Sequence, residues 1–195
     1  MNSRYDLINH FIRERGFKSF LEIGTENGTT FRAVECPRKV SVDPNEAHAT
    51  FQLTSDEFFH RNTERFDIVF VDGFHEWHQA LRDVNNALNV LNEGGVIVMH
   101  DCHPNSEECA AHVDTYAPPN GCWCGDVWKA FVKLRSELHY NAYVWDHDWG
   151  CGVIDTANPA APLAPGCVLP ADVEPLTYAD FVAHPEWMNF VDKPA

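Results

Sequence analysis

The sequence predicts a doubly wound α/β fold, in which a mostly parallel sheet carries helices on both faces. Short apolar runs alternate with helical patterns over residues 1–154. The runs at 68–71 and 96–99 each hold four consecutive apolar residues, which is typical of strands buried on both faces. Several runs end in glycine or an acid, and the carboxyl ends of parallel strands are where such sheets bind ligands.

Each apolar run is interpreted as one strand of this sheet. Four strands are predicted at SFLEIG, KVSVD, FDIVFVDG and GGVIVMHD, and ATFQL is a weaker candidate between the second and third of these. Two closing strands are predicted at YNAYVW and CGVI. The expected sheet therefore has seven strands.

Three stretches show the spacing of amphipathic helices. The first follows Ser3, a candidate N-cap, and has apolar residues at positions 5, 8 and 12. The second has leucine or valine at positions 81, 84, 88 and 91, and we expect the glycine pair 94–95 to end it. The third begins at Asp126.

Length and charge narrow the class of protein. The chain has 195 residues, and Lys plus Arg number 14 against 29 for Asp plus Glu, a net charge of -15. This balance argues against a nucleic-acid partner and against an anionic membrane surface. No apolar run approaches the ~18 residues of a membrane span, and the N-terminal segment lacks an apolar signal core. We therefore expect a cytoplasmic protein with reduced cysteines.

The composition changes once along the chain, near residue 155. Residues 155–195 contain seven prolines, six acids and one lysine. We expect residues 1–154 to form the α/β domain and 155–195 to form an acidic, proline-rich tail, with one short helix near 177–183. The large apolar groups Phe181, Trp187 and Phe190 favour packing of this tail on the domain.

Two strand ends predict a nucleoside-bearing cofactor. Gly24 and Gly28 form a G-x-x-x-G turn after the first strand, which allows close approach of a ligand but differs from the dinucleotide G-x-G-x-x-G pattern. Asp43 ends the second strand, where a carboxylate can accept both hydroxyls of a ribose. The acids Glu22 and Glu26 favour a cationic cofactor over a phosphate. An ordinary strand-to-helix turn and a solvated strand end are the alternatives.

These residues resemble the class I S-adenosylmethionine-dependent methyltransferases. FLEIGTENGTT is similar to their first motif, and SVDP is similar to their ribose-binding acid. Downstream, TSDEFF, FDIVFVDGFHEWHQALRDVNNALNVLNEGGVIVMHDCHP and GDVWKAFVKLR resemble a subgroup of small methyltransferases that often act on sugars or natural-product hydroxyls. The resemblance covers roughly 20–154. It implies a Rossmann-like methyltransferase fold, S-adenosyl-L-methionine as cofactor, and a hydroxyl of a small molecule or sugar as acceptor.

The resemblance also implies a cofactor site. Gly24 and Gly28 would flank the methionine portion, Glu22 or Glu26 would lie near its ammonium, and Asp43 would take the ribose. Ser55 and Asp56 would approach the adenine amino group, although Asp56 is equally explained as an acid at a helix N-terminus. The predicted cofactor-binding set is Glu22, Gly24, Thr25, Glu26, Gly28, Asp43, Ser55, Asp56, Asp72 and Phe74.

Polar residues that end two later strands predict the reacting centre. The third predicted strand is followed by Asp72 and His75, and the fourth by His100 and Asp101. Carboxylates and imidazoles converging there could bind a divalent cation. Metal-dependent sugar O-methyltransferases have a similar D-x-x-H and an acid pair, which implies Asp72 and Asp101 as metal ligands and His75 as the general base.

The sequence departs from that pattern at one position. His100 stands where an acid is expected, which disfavours a hard cation such as magnesium. A set of histidine and aspartate also suits manganese, iron or zinc, and the predicted metal ligands are Asp72, Asp101 and His100. The predicted catalytic residues are His75, Asp72 and Asp101. The alternative is that the two aspartates cap backbone amides and contact the cofactor with no metal.

The segment between Asp101 and Asp126 is rich in cysteine and histidine. Its thiols and imidazoles could form a structural zinc site, but their spacings are irregular, and a loop that covers the substrate is the default interpretation. The candidate ligands in this segment are Cys102, His103, Cys109, His112, Cys122 and Cys124.

Three functions are compatible with these motifs. The leading one is methyl transfer from S-adenosylmethionine to a hydroxyl, with a small-molecule or sugar acceptor. A metal-dependent oxygenase or hydrolase on the same fold and a non-catalytic cofactor-binding module are the alternatives. A homodimer could supply a further wall to the site.

Overall fold

One seven-stranded sheet organises the computed structural model, which describes residues 1–115 and 123–194. Within those residues the strand order is β2-β1-β3-β4-β6-β5-β7. All neighbouring pairs are parallel except the two made by β6, which is antiparallel to β4 and to β5. The strands are β1 (Ser19–Ile23), β2 (Arg38–Val42), β3 (Phe66–Val71), β4 (Leu91–Met99), β5 (Tyr140–Trp145), β6 (Cys151–Pro159) and β7 (Phe190–Val191).

Helices connect the strands as the alternating pattern predicts. The α-helices in the described residues are α1 (Arg4–Arg15), α2 (Thr29–Ala33), α3 (Ser55–Arg61), α4 (Trp77–Val90), α5 (Val127–Glu137) and α6 (Tyr178–Ala183). Ser3 caps α1, as predicted: its side chain accepts from the backbone N–H of Asp6. Thr54 and Glu57 form a capping box at the start of α3. The predicted fold class, a mostly parallel sheet with helices, is confirmed.

Two boundaries differ from the sequence prediction. ATFQL forms no named strand, because only Phe51 pairs, in a single bridge with Val42. Helix α4 ends at Val90, before the glycine pair, and β4 begins at Leu91 and runs through both glycines. Gly95 suits the strand because a Cβ there would lie 2.7 Å from the carbonyl oxygen of Asp67. Gly95 therefore serves the close packing of the strand, Gly94 adopts a positive φ of 72° within it, and neither ends the helix.

Apolar side chains fill both sides of the sheet. One core cluster lies between the sheet and helices α4 and α5, with Val84, Trp128 and Phe131 among its fully buried members. The other lies on the α1 side and includes Leu7, Phe11 and the strand residues that face them. Because the central strands are buried on both faces of the sheet, their sequences are continuous apolar runs.

The segment after residue 154 contributes to the same sheet and core. The predicted boundary at 154 falls within β6, which continues to Pro159. Phe181 and Trp187 are buried against the α5 side, and the ring centroids of Phe181 and Trp128 are 5.1 Å apart. Strand β7 pairs with β5 at the edge of the sheet. The division into a 1–154 domain and a 155–195 tail stays a prediction.

In the described part of the chain, no helix is both long enough and apolar enough to cross a membrane.

Candidate active site

A cavity of about 1000 Å³ opens at the carboxyl ends of β1, β3 and β4. The chain passes from β1 outward to β2 on one side, and β3 and β4 lie on the other side of β1. This reversal of strand order is where doubly wound sheets bind ligands. The Gly24 turn, Asp43 and the residues that follow β3 and β4 therefore lie around one opening.

Most of the residues predicted to bind a cofactor line this cavity. The lining includes Gly24, Glu26, Asp43, Ser55, Asp56, Asp72 and Phe74. Three predicted residues, Glu22, Thr25 and Gly28, are not among the lining residues. The cofactor-binding roles themselves remain predictions.

Gly24 is required by the packing of two strands. Its φ is +84°, and a Cβ there would lie 1.9 Å from the carbonyl oxygen of Asp72. The end of β1 therefore approaches the end of β3 too closely for any side chain. This close approach brings the first glycine turn next to Asp72, whatever ligand the cavity holds.

Asp43 organises the loops on its side of the cavity. One carboxylate oxygen accepts from the backbone N–H groups of Thr25 and Glu26, at 3.0 and 3.1 Å. The other accepts from those of Asn45 and Glu46, at 2.8 and 3.1 Å. Four bonds already occupy about the full acceptor capacity of a carboxylate. Asp43 thus holds the glycine turn in place, and a bound ribose would have to share or displace these amides.

Glu22 lies below the cavity floor on β1 and is 1% exposed. Burial raises its pKa to about 8, so the side chain is mostly a neutral acid at pH 7. A neutral acid does not suit the predicted role of Glu22 as a counter-charge for an ammonium. Its Oε2 atom and the Oγ1 atom of Thr25 are buried and have no hydrogen-bond partner among the described residues.

A polar cluster lines the far end of the cavity. Asp56 is paired at the surface with Arg82, at 3.0 Å. Gln79 donates to Ser55 at 3.2 Å and to Asp83 at 3.0 Å. Asp83 is 1% exposed, and burial raises its pKa to about 6. Sequence reasoning missed Asp83 and Gln79, because both lie within helix α4 and belong to no recognisable motif.

The predicted reacting centre brings together Asp72, His75 and Asp101. One potential ligand atom from each lies within 4.8 Å of the others, which is close enough for the three to hold a metal ion. His75 Nε2 is 3.1 Å from Asp101 Oδ2 and 3.6 Å from Asp72 Oδ1. The structure thus groups His75, the predicted base, with the two carboxylates. The metal-ligand set predicted from the sequence contains His100 in place of His75. The predicted metal ligands and the predicted catalytic residues both remain predictions.

The orientation of His75 fixes which nitrogen carries a proton. Its Nδ1 lies 2.7 Å from the carbonyl oxygen of Trp123, so Nδ1 is the donor and Nε2 faces the carboxylates. Burial acts to lower the pKa of His75, but the hydrogen bond to Asp72 and the charges of Asp101 and Asp72 raise it to about 9. A cation at Nε2, either a proton or a metal ion, satisfies this arrangement.

His100 lies behind the two carboxylates. Its Nδ1 is 3.1 Å from Asp101 Oδ2 and 3.4 Å from Asp72 Oδ1. Burial opposes its charged form, but Asp72 and Asp101 hold the pKa of His100 well above its usual value. Burial likewise acts to raise the pKa of Asp72, yet the facing His100 and His75 hold it well below its usual value.

Arg4 and Asp148 complete this network, and sequence reasoning missed both as partners of Asp72. Arg4 Nη1 donates to Asp148 Oδ1 at 3.2 Å, and Arg4 Nε lies 3.9 Å from Asp72 Oδ2. Asp148 also accepts from the backbone N–H of Arg4 at 2.7 Å. The first turn of α1 is thereby tied to the β5–β6 turn and to the end of β3. These contacts are not predictable from local sequence patterns, because the residues are separated by up to 144 positions.

Strained backbone is concentrated around this centre. Asp101, Asp148 and Trp149 have positive φ values of 61°, 49° and 63°. Non-glycine residues rarely adopt this conformation, and it often occurs at functional sites. Trp149 is 40% exposed and lines the cavity together with Phe74 and Trp123. These aromatic side chains form apolar walls next to the charged centre.

The cysteine-rich segment brings only some of its candidate ligands together. Cys109 and Cys124 are buried, with their sulfur atoms 3.3 Å apart. His103 instead pairs with Asp146, and His112 lies beside Asp114. Among the described residues, the one potential metal-binding group is the Asp72 group, so the described candidates of this segment assemble no set of three zinc ligands. Cys122 lies outside the described residues.

Comparison with known proteins defines the class of this fold. Residues 38–102 match a family model described as a methyltransferase domain, which spans β2 to the end of β4. A search of curated proteins gives no match. Solved structures with TM-scores above 0.5 cover most of the chain at low identity.

Three such structures illustrate the similarity. An O-methyltransferase from Bacillus cereus in complex with SAH is 16% identical, has a TM-score of 0.54, and the match covers 78% of this chain and 80% of that one. An SAH-bound methyltransferase from Podospora anserina is 18% identical, with a TM-score of 0.55 and coverage of 80% and 79%. The O-methyltransferase TomG from Streptomyces achromogenes, in complex with SAM, is 18% identical, with a TM-score of 0.52 and coverage of 78% and 79%.

The fold and the cavity at its strand ends define a Rossmann-like α/β domain of the methyltransferase type. Residues 38–102 match the model of a methyltransferase domain, and the chain as a whole shares the fold of the solved methyltransferases. The resemblance drawn from the sequence motifs is confirmed.

Proposed function

We propose that this protein transfers a methyl group from S-adenosylmethionine to a hydroxyl of a small-molecule acceptor, such as a sugar. The observation that carries the proposal is the group of Asp72, His75 and Asp101, which lies in the same cavity as the Gly24 turn and Asp43. A donor site and an acid–base centre within one cavity are what methyl transfer to a hydroxyl requires.

The cavity suits the proposed cofactor in size and in polarity. Its volume of about 1000 Å³ lies at the upper end of small-molecule sites. Acids line the side near Asp43, which favours a ligand that carries a positive charge. When bound, S-adenosylmethionine supplies an electrophilic methyl group on a sulfonium centre. The residues proposed to hold it are Gly24, Glu26, Asp43, Ser55, Asp56 and Phe74.

The residues of the reacting centre also fit a divalent cation. Asp72 and Asp101 offer carboxylate oxygens on one side of the cavity, and the left-handed backbone of Asp101 turns its carboxylate toward Asp72 and His75. These oxygen ligands suit magnesium or manganese, and they leave Nε2 of His75 outside the coordination sphere. A bound cation would lower the pKa of the acceptor hydroxyl.

His75 has the geometry of the proton acceptor. With Nδ1 held by the Trp123 carbonyl, Nε2 is the nitrogen that faces the cavity. In the protein alone, Asp72 and Asp101 favour a proton on Nε2. Once their negative charge is neutralised, the proton is held less tightly, and Nε2 becomes free to accept the hydroxyl proton. His100 and Arg4, which contact the carboxylates from behind, orient them.

The test is a binding and turnover experiment on the full chain. Calorimetry with S-adenosylhomocysteine should show one binding site per chain. A separate titration with manganese should show one further site, for the metal ion. Formation of S-adenosylhomocysteine is then measured over a panel of sugar and phenolic hydroxyl acceptors. Absence of binding of both S-adenosylmethionine and S-adenosylhomocysteine to the folded protein would overturn the proposal. Binding without turnover on any acceptor would favour the cofactor-binding module.

A further inference from the structure

Two buried cysteines lie in contact beside the candidate active site. The sulfur atoms of Cys109 and Cys124 are 3.3 Å apart, and the residues are 2% and 1% exposed. Their backbones are also paired. The carbonyl oxygen of Cys109 accepts from the N–H of Cys124 at 2.9 Å and from that of Gly125 at 3.0 Å.

We propose that Cys109 and Cys124 form a reversible disulfide that fixes the segment supporting His75. A disulfide has an S–S length of about 2.05 Å and joins residues whose backbones already lie close together. Paired backbones and sulfurs in contact meet this requirement, so small side-chain rotations suffice. The sulfurs are in contact but not bonded, so the pair can exist in a reduced and an oxidised form without a change of fold.

The position of the pair connects it to the reacting centre. Trp123, which precedes Cys124, holds His75 through its carbonyl oxygen, and its indole N–H donates to the carbonyl of Ala111 at 2.8 Å. Gly125, which follows, is packed so closely that a Cβ would lie 1.9 Å from the carbonyl oxygen of His75. A bond at Cys124 therefore restrains both neighbours that touch His75.

Cys124 places the pair beside the cavity. It is one of the residues that line the cavity, although both cysteines are almost fully buried. Reaction with an oxidant in the cavity therefore requires the Cys124 side chain to turn toward the opening, and burial and the charge of Asp101 raise the pKa of its thiol. Since both residues are buried, exchange should be slower than at an exposed thiol.

The chemistry balances with a low-molecular-weight disulfide, such as oxidised glutathione, as the oxidant. The sulfur of Cys124 attacks one glutathione sulfur, the S–S bond of glutathione breaks, and one glutathione leaves as a thiolate that takes up the proton. The sulfur of Cys109 then attacks Cys124 in the mixed disulfide and releases the second glutathione, which takes the second proton. Two protein thiols are oxidised, and one glutathione disulfide is reduced to two thiols.

The first experiment maps the bond. The full chain is incubated in glutathione buffers of increasing oxidised fraction, quenched with N-ethylmaleimide and analysed by peptide mass mapping. We expect a peptide pair joined at Cys109 and Cys124, lighter by two hydrogens than the reduced peptides, which dithiothreitol separates. The partly exposed Cys36 and Cys167 act as internal controls and should carry glutathione or N-ethylmaleimide.

Two variants control the assignment. Cys109→Ser and Cys124→Ser should each abolish the linked pair, whereas Cys167→Ser should leave it unchanged. Alkylation of both Cys109 and Cys124 under conditions that oxidise Cys36 or Cys167 would overturn the proposal. So would stoichiometric zinc in the purified protein that is lost in both variants, since the pair would then be part of a metal site.

A second experiment tests the link to His75 without an enzyme assay. The histidine nitrogens are labelled with ¹⁵N, and the His75 signal is assigned from His75→Gln. On oxidation, we expect a shift of the His75 Nδ1 resonance that reverses with dithiothreitol and is absent in Cys109→Ser. An unchanged resonance in the mapped disulfide form would overturn the coupling to the active site. Both readouts are independent of whether the proposed methyl transfer is found.

Discussion

His75 Nδ1 lies 2.7 Å from the carbonyl oxygen of Trp123, and this contact decides how the centre can work. A carbonyl only accepts, so Nδ1 must carry a hydrogen and Nε2 must face Asp72 and Asp101. Two carboxylates around an imidazole lone pair are stable only with a cation between them. The same geometry therefore supports a proton-accepting histidine and a metal-binding one.

Removal of His75 separates chemistry from cofactor binding. We expect His75→Ala to bind S-adenosylhomocysteine as the wild type does, since the imidazole lies at the acceptor side. Turnover should fall by about 10²–10⁴-fold, the usual loss for a general base. Calorimetry and a turnover assay on one acceptor measure the two quantities. His78→Ala is the matched control, because His78 is exposed and pairs with Glu76. Wild-type turnover in His75→Ala would remove the assignment.

Asp101→Asn tests the cation site with little change of shape. Asparagine tolerates the left-handed backbone that Asp101 adopts, so the variant should fold. Loss of the charge should weaken manganese binding at least tenfold, about 1.4 kcal/mol. Asp148→Asn is a suitable control, because Asp148 also has a positive φ but lies outside the group of three potential ligands. Wild-type manganese affinity in Asp101→Asn, or full activity after treatment with a chelator, would argue against a metal at this centre.

Asp43→Ala tests the proposed cofactor side. The carboxylate lines the cavity and holds the backbone N–H groups of Thr25 and Glu26. We expect the affinity for S-adenosylhomocysteine to fall at least tenfold, about 1.4 kcal/mol. Asp114→Ala, at an exposed carboxylate, should have no effect. If the folded Asp43→Ala variant keeps the wild-type affinity, Asp43 does not contact the ribose.

The sequence predicted the elements that depend on local pattern. The apolar runs 68–71 and 96–99 identified central strands, because burial on both faces leaves no polar position to interrupt them. Helix α1 was predicted from Ser3 and its periodic apolar residues. The end of α4 was missed, since Gly94 and Gly95 resemble a helix stop while they in fact sit within β4. Local pattern does not reveal that Gly95 packs against the carbonyl of Asp67.

The candidate site was predictable only where its residues follow strands. Asp72, His75 and Asp101 were found because strand ends in this fold share one edge. Arg4 and Asp148 were missed, since each belongs to another element and reaches the site through the tertiary fold. The contact of Cys109 with Cys124 was likewise invisible, because fifteen positions of irregular spacing separate them.

The raised pKa of the buried Glu22 can be tested through the pH dependence of protein stability. Burial raises its pKa from 4.5 to about 8, so the folded protein prefers the protonated form. The stabilisation from that preference is complete below pH 4.5 and is lost as the pH rises toward 8. Glu22→Gln keeps the neutral shape at every pH, so the variant should gain stability over the wild type between these values. The gain should reach a few kcal/mol near pH 8, at about 1.4 kcal/mol per pKa unit. Thermal unfolding of both proteins from pH 5 to pH 8 measures the difference, with Glu93→Gln as the control at an exposed carboxylate. A difference that stays constant with pH would show that Glu22 is ionised in the folded protein, and its role as counter-charge to the cofactor's ammonium would then be restored.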